Sequence, residues 1–292
     1  MPTRYLGNQP AEALAVAKKL YPHETEFKVI NDGQENLIIT VRQAYNVRFP
    51  RNEEIWQRSL AERSILARLT PLTLPTPKLI SVSESPAYIQ TSYLKGKHLD
   101  VDAIRKAPIA VQQRVGKEIA TFTYQLHQAL PVAAIKPLLV SPTWSYDDYL
   151  KRVLDEQVNP NPQINALAKH YYNAWMHKKQ IPKKIIIHDD LHTSNLLFSN
   201  NHHLTGVLDF GAACMGNPEQ ELRQTYRLGD IVFDAAIAMY EELSGQSLDR
   251  ETAKLWTITQ ELGSYCREDS DAVHARAFDN LCYWFPQLKS IG

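Results

Sequence analysis

The 292-residue sequence has little cysteine, little glycine and no excess of either charge. Its three cysteines, Cys214, Cys266 and Cys282, stand far apart without a C-x-x-C pair, which argues against a zinc ribbon or a disulfide framework and favours a reducing compartment. Lys plus Arg and Asp plus Glu number 32 each, so the basic excess of a nucleic-acid or membrane-surface binder is missing.

Long apolar runs are also missing. No run of about 18 apolar residues occurs, and the N-terminal residues contain no apolar signal-peptide core. The hydrophobic content of 44% still supports a sizeable core and argues against intrinsic disorder. We therefore predict a soluble, cytoplasmic monomer or dimer that binds neither nucleic acid nor membrane.

The order of the predicted elements divides the chain into two lobes. A strand-rich meander leads into a helix over residues 53–69 and two further short strands, and the rest of the chain is mostly helical around a small β-hairpin. We predict an α+β fold with a small antiparallel-sheet lobe carrying one main helix over residues 1–92. A larger helical lobe follows over 93–292, with a hinge at about 92–96.

The segment from Ile185 to Gly211 carries most of the chemical information. Two apolar stretches joined by a turn predict a hairpin whose open end brings Asn195 beside Asp209, while Asp190 stands in the loop after the preceding strand. Carboxylate and amide oxygens are ligands that Mg²⁺ prefers, and Mg²⁺ usually also binds substrate phosphates. Asp190 has no Lys or Arg nearby in sequence, so it is a candidate to accept a proton from a hydroxyl.

The same residues resemble a known family. HDDLHTSN followed by LDFG matches the kinase catalytic loop and its D-F-G, and the whole stretch resembles the aminoglycoside phosphotransferase and choline kinase-like family, with HGDLHxxN, IDF/W and DPxxDL. The resemblance implies a bilobal, protein-kinase-like fold. It assigns Asp190 as the catalytic base, Asn195 and Asp209 as Mg²⁺ ligands, and His188 as a structural residue bracing the backbone near Asp209.

The sequence departs from this family pattern at three positions. Asp189 stands where the family commonly has Gly, which adds a negative charge beside the base. Asn217 and Glu221 replace the two Asp residues of DPxxDL, and we expect the longer side chain of Glu221 to brace the catalytic loop.

A metal-dependent hydrolase is an alternative interpretation of the same segment. His188, Asp189, His192 and Asp209 could form a metal cluster, but such hydrolases usually place these ligands on helices, whereas the flanking segments have the pattern of strands. We favour a loop-packing role for His192.

A buried ion pair is predicted in the first lobe. Glu62 falls on the largely apolar face of the 53–69 helix, where a charge is costly unless paired, and Arg48 on the third strand is its natural partner. By resemblance, Arg48 takes the position of the phosphate-binding Lys of kinases and Glu62 that of its helix carboxylate. If the strand register differs, Arg51 rather than Arg48 is the partner of Glu62. The other interpretation of the pair is an ordinary salt bridge between a strand and a helix.

Few other features of the sequence indicate the nucleotide site. No G-x-G occurs, so the turn over residues 31–36 is either a phosphate-covering loop or a plain hairpin turn. By resemblance, backbone atoms of Ser92 and Leu94 contact the base and Thr91 limits the depth of the pocket. ATP and GTP both remain open as the co-substrate.

Two acidic segments are candidates for binding a cationic acceptor. Asp230, Asp234 and Glu241 share a helical stripe that attracts a polycation or is simply solvated. Asp147 and Asp148 lie among aromatic residues that suit an ammonium group.

These features predict transfer of the γ-phosphate of Mg-ATP or Mg-GTP to a hydroxyl of a small, cationic molecule, most directly an aminoglycoside-type antibiotic. A metabolic kinase for choline, an amino alcohol or a sugar is an alternative, and an inactive nucleotide-binding module is an alternative of another class.

Overall fold

The computed structural model describes residues 3–31, 33, 35–72, 74–132, 151–155, 161–178, 184–266 and 271–291. Within these ranges no helix combines the length and apolar character needed to cross a membrane. All three cysteines are buried, and none of them forms a disulfide bond.

The first lobe is an antiparallel five-stranded sheet in the spatial order β1-β2-β3-β5-β4. Its elements are α1 (Pro10–Leu20), β1 (Phe27–Ile30), β2 (Asn36–Val41), β3 (Tyr45–Pro50), α2 (Glu53–Leu69), β4 (Leu79–Glu84) and β5 (Ala87–Ser92). The predicted meander and main helix are therefore present.

Strand alternation explains why β3 presents an arginine to α2. Val47 and Phe49 are fully buried against α1 in the core of this lobe. Because successive side chains of a strand point to opposite faces, Arg48 between them points to the other face, toward α2. Asn52 caps α2 by accepting a hydrogen bond from the Ile55 N–H at 3.0 Å, so the helix begins directly after β3.

The second lobe is mostly helical. In chain order it contains α3 (Val101–Lys106), α4 (Ile109–Ala129), α5 (Pro162–Lys178), β6 (Ile185–Ile187), β7 (Leu196–Phe198), β8 (Leu204–Val207), β9 (Cys214–Gly216), α6 (Pro218–Leu222), α7 (Asp230–Ser244), α8 (Arg250–Tyr265) and α9 (Asp271–Trp284). The predicted β7–β8 hairpin is present. The pairing of β6 with β9 was not predicted, because three residues are too few to show a periodicity.

One hydrophobic cluster runs through both lobes. Ile65 and Leu69 of α2 belong to the same buried cluster as Phe198 and Val207 of the hairpin and Phe210 beyond it. The helix that carries Glu62 is therefore packed against the segment that carries Asn195 and Asp209.

The chain after β5 is fastened to the hairpin. Lys97 and Phe198 exchange two backbone hydrogen bonds of 2.9 and 2.8 Å, and the Thr205 hydroxyl donates to the Lys95 carbonyl at 2.9 Å. A Cβ atom on Gly96 would lie 2.6 Å from Thr205 Oγ1 and 2.7 Å from Leu197 Cβ, so only glycine allows this approach.

We expect Gly96→Ala to lower the free energy of unfolding by about 1–3 kcal/mol, because the added methyl overpacks this contact. Urea denaturation followed by circular dichroism measures the change. Gly245→Asn is the control, since Gly245 has a φ of +68° with no atom within 4 Å of a Cβ, and Asn tolerates that conformation. An unchanged urea midpoint for Gly96→Ala would show that the segment after β5 accommodates the added methyl group without loss of stability.

Candidate active site

The loop after β6 holds Asp190 by one side of its carboxylate. Asn195 Nδ2 donates to the Asp190 carbonyl at 2.9 Å and to its Oδ2 at 3.0 Å. His192 Nε2 lies 3.3 Å from the same Oδ2, and the Ser194 N–H donates to His192 Nδ1 at 3.2 Å, which places the ring proton on Nε2. With Oδ2 held by two donors, Oδ1 is the atom left for a substrate.

The surroundings keep Asp190 ionised. Burial alone would raise the pKa of this carboxyl, but the hydrogen bond from His192 and the positive charge of Arg223 outweigh burial and lower the pKa to about 2. Asp190 is therefore a carboxylate throughout the neutral range and needs no deprotonation before it accepts a hydrogen bond from a hydroxyl.

His188 ties the loop to the end of β8. Its Nε2 donates to the Leu208 carbonyl at 2.8 Å, and its Nδ1 accepts from the Asp190 N–H at 3.2 Å. The Leu208 N–H donates to the Asn195 carbonyl at 2.8 Å, so the hairpin brings Asn195 beside the residue that precedes Asp209. This chain of bonds joins Asp190 to Asn195 and to Asp209, which follows Leu208.

Glu221 stabilises the backbone of the loop after β6. It is fully buried, accepts from the His188 N–H, and accepts from the Asp189 N–H at 3.2 Å. Burial would raise the pKa of Glu221, but the neighbouring His127 imidazole and the hydrogen bond from the His188 N–H lower it. His127 lies 3.5 Å away and was missed in the sequence, because it stands on α4, distant along the chain.

Asn217 keeps one function of the Asp it replaces. Its side chain accepts from the Gln220 N–H at 2.9 Å and so caps α6, the short helix that carries Glu221.

The predicted ion pair of the first lobe is present and reaches the second lobe. Arg48 Nη1 donates to Glu62 Oε1 at 2.7 Å, and this oxygen also accepts from the Phe210 N–H at 3.2 Å. Arg48 Nη2 lies 3.8 Å from Asp209 Oδ1. Burial would lower the pKa of Arg48, but Glu62 and Asp209 outweigh it, so the pKa is raised and the guanidinium stays charged.

Arg51 is not the partner of Glu62. Its Nη2 donates to the carbonyls of Asn31 at 3.0 Å and Gly33 at 2.7 Å, and its Nη1 donates to the Gly7 carbonyl at 2.8 Å. A guanidinium therefore fixes the turn between β1 and β2, in a sequence that has no glycine-rich motif there; Asp32 and Gln34 of this turn lie outside the described residues.

The residues of the predicted hinge lie at the end of β5 and just after it. Thr91 is buried, and Ser92 and Leu94 are half-buried. The Ser92 N–H donates to the Lys78 carbonyl at 2.9 Å, and the Lys78 N–H donates to Ser92 Oγ at 2.8 Å. The Ser92 N–H is thus already engaged by the sheet, so its carbonyl is the backbone atom to test as a contact to a base.

The donor set fits a hard divalent ion. Asn195 commits its Nδ2 to Asp190, which leaves its Oδ1 for an ion. The Asp209 side chain is 42% exposed, and among the described residues its Oδ1 accepts the Gly211 N–H at 3.2 Å. Among the described residues no group of three or more His, Cys, Asp or Glu could hold a metal alone. Two oxygen ligands suit Mg²⁺, which completes its shell with water and phosphate, better than an all-protein metal site.

A cavity of about 670 Å³ opens beside Asp190. Its size is that of pockets for small organic ligands. The cavity wall combines acidic, basic and polar side chains that sequence reasoning did not identify, because α3, the 223–228 turn and the C-terminal helices meet only in the folded chain: Asp100, Asp102, Asp279, Arg276, Lys289, Gln260 and Tyr283.

The predicted acidic stripe on α7 does not line this cavity. Asp234 and Glu241 both contact Arg250, at 3.0 and 3.4 Å, and Asp230 lies 3.5 Å from Lys254. These carboxylates are thus compensated by bases of α8. Asp147 and Asp148 lie outside the described residues.

The structure combines a small sheet lobe with a helical lobe. Between them lie Asp190 and Asn195, from the loop after β6, and Asp209, which follows β8. This arrangement defines the class of protein-kinase-like phosphotransferases. The model of the Phosphotransferase enzyme family matches residues 26–256, and the chain belongs to that family. No curated protein sequence matches the chain.

Solved structures agree in fold. The GDP complex of wild-type aminoglycoside 2'-phosphotransferase-IIIa is 17% identical with a TM-score of 0.74, over 94% of this chain and 97% of that one. The streptomycin–ATP complex of APH(2")-IIa is 16% identical, with a TM-score of 0.64 over 94% and 96%. Macrolide 2'-phosphotransferase MphH from Brachybacterium faecium is 17% identical, with a TM-score of 0.62 over 92% and 98%. The predicted protein-kinase-like fold is therefore confirmed.

Proposed function

We propose that this phosphotransferase is a kinase that moves the γ-phosphate of a nucleoside triphosphate to a hydroxyl of a small, amine-bearing molecule. The observation that carries the proposal is the carboxylate of Asp190, which is held through Oδ2 and left open at Oδ1 beside a cavity large enough for such a molecule.

Asp190 acts on the acceptor in this proposal. Its Oδ1 accepts the hydrogen bond of the attacking hydroxyl and then the proton, while Asn195 and His192 keep the carboxylate from rotating. Because phosphoryl transfer has a loose transition state, orientation of the hydroxyl counts for more than strong basicity, which agrees with a pKa of about 2.

Asn195 and Asp209 would hold Mg²⁺, and the ion when bound supplies charge neutralisation on the phosphates. Arg48 is oriented by Glu62 and offers a guanidinium to the phosphate oxygens, with Asp209 3.8 Å away on the opposite lobe. The hinge at Ser92 and Leu94 would hold the base, with Thr91 behind it. The GDP- and ATP-bound neighbours support a nucleotide co-substrate of either kind.

An aminoglycoside-type acceptor is the first candidate. Asp100, Asp102 and Asp279 give the cavity three carboxylates besides those of the catalytic loop, and cationic amines are attracted to such a wall. The kanamycin complex of a structural neighbour supports the same class of acceptor.

The same wall favours a second candidate. Four cationic side chains also line the cavity, so its charge is closer to balance than a polycation would prefer: Arg105, Arg227, Arg276 and Lys289. An acceptor with a single amine, such as an amino alcohol, an amino sugar or a macrolide, suits this balance.

A panel of acceptors tests both candidates. Nucleotide consumption is followed in a coupled assay with aminoglycosides, macrolides, choline-like alcohols and sugars, each with ATP and with GTP. We expect at least one class to raise consumption well above the acceptor-free rate, with product mass increased by one phosphate. If nucleotide binds but no acceptor raises the rate, the inactive-module alternative is the better description.

A further inference from the structure

Asp189 adopts a left-handed backbone conformation immediately before Asp190. Its φ is +65° and its side chain is 4% exposed. Residues other than glycine persist in this region only where surrounding contacts fix them, although Asp is among the better tolerated. The related pattern HGDLH has glycine here, so this chain must hold by contacts a turn that glycine adopts freely.

Arg223 supplies these contacts from the segment after α6. Its Nη1 donates to Asp189 Oδ1 at 2.7 Å, and its Nη2 donates to the Asp189 carbonyl at 2.8 Å. Its Nε donates to Gln260 Oε1 at 3.2 Å, and the whole side chain is only 2% exposed. Gln220 Nε2 adds a second donor to Asp189 Oδ1 at 2.9 Å.

The two Nη groups of the Arg223 guanidinium donate to different parts of Asp189. One holds the side chain of Asp189 and the other holds its carbonyl, which belongs to the peptide that leads into Asp190. The planar guanidinium of arginine can donate to both oxygens at once, whereas the single ammonium group of lysine reaches both atoms poorly. The extra carboxylate beside the base is therefore both compensated and used to fix the turn.

We propose that Arg223 is a positioning residue of this kinase, because its fork on Asp189 holds the turn that presents Asp190 to the acceptor cavity. The inference rests on the proposed function. Arg223 and Asp189 form one unit that takes the place of the glycine of the family pattern, so neither member is expected to work well without the other.

A double-variant cycle tests the proposal on the full-length protein. Arg223→Met leaves the buried Asp189 carboxylate with Gln220 but without a cation, and Asp189→Gly leaves the buried guanidinium with a backbone carbonyl and Gln260 but without a carboxylate. We expect either change to lower kcat by about 10- to 100-fold, as misplacement of a reacting group does, with the KM for nucleotide within about twofold of the wild type. The combined Asp189→Gly/Arg223→Met variant should recover to within about threefold.

Controls separate positioning from general loss of structure. Arg250→Met removes the same charge from a surface pair on α8 and should leave kcat unchanged. If Arg223→Met does not fold, Arg223→Lys keeps the charge with one donor group and should still lower kcat about tenfold. Circular dichroism confirms that each variant is folded before its rates are compared.

The possible outcomes separate failure of the positioning role from failure of the proposed function. A folded Arg223→Met variant with wild-type kcat overturns the inference and leaves the proposed function standing. A double variant slower than either single variant, by about the product of their separate losses, also overturns it, because the two residues then act independently. If the wild type transfers phosphate to no acceptor, the proposed function fails, and the positioning role falls with it.

Discussion

Asp190→Asn is expected to lower kcat by about 10²- to 10⁴-fold, the range that a general base contributes. Asn195 and His192 both donate to Oδ2. The amide of the variant would therefore turn its oxygen to these donors and its NH₂ group to the cavity, where no atom could then accept the hydroxyl proton. Steady-state assays with the best acceptor of the panel measure the loss.

Nucleotide affinity should change little, within about threefold by titration calorimetry, because Asp190 faces the acceptor. The matched control is Asp249→Asn, since Asp249 also has a pKa lowered to about 2 but caps α8 and pairs with Lys178. Asn retains that cap. Turnover that survives in Asp190→Asn would remove Asp190 from the role of base.

Asp209→Asn is expected to weaken nucleotide binding in the presence of Mg²⁺ by at least about tenfold, or about 1.4 kcal/mol. The charge that attracts the ion is lost, while the size of the side chain is kept. Asn is chosen over Ala because Asp209 has a φ of +60° and caps the Gly211 N–H, and Asn tolerates both demands.

The Mg²⁺ dependence identifies the cause. Titrations with MgCl₂ and with EDTA should differ for the wild type and be nearly the same for Asp209→Asn, which would bind nucleotide as weakly as the metal-free wild type. Titration heats that match the wild type with MgCl₂ would refute the metal role of Asp209.

Local pattern sufficed for the parts of the site that lie close together along the chain. The β7–β8 hairpin places Asn195 beside Leu208 because turn residues and strand pairing fix the register. The Arg48–Glu62 pair follows from strand alternation and helix periodicity, since a carboxylate on an apolar face needs a cation within reach.

Contacts between distant elements could not be obtained in this way. His127 contacts Glu221 and Arg223 contacts Asp189, and nothing in a single sequence indicates that these buried polar residues will meet. The bracing role of Glu221 was expected from the family resemblance alone. The two interpretations of the acidic stripe on α7 could not be separated from the sequence, because a stripe of carboxylates has the same pattern whether or not bases such as Arg250 contact it.

The hydrogen bonds from Asn195 Nδ2 to Asp190 have a consequence for the geometry of transfer. Under the proposed roles, one amide group touches the base with its nitrogen and the ion with its oxygen. The position of the base relative to the ion would then depend on one side chain, so a change at Asn195 would disturb both the attacking hydroxyl and the metal site.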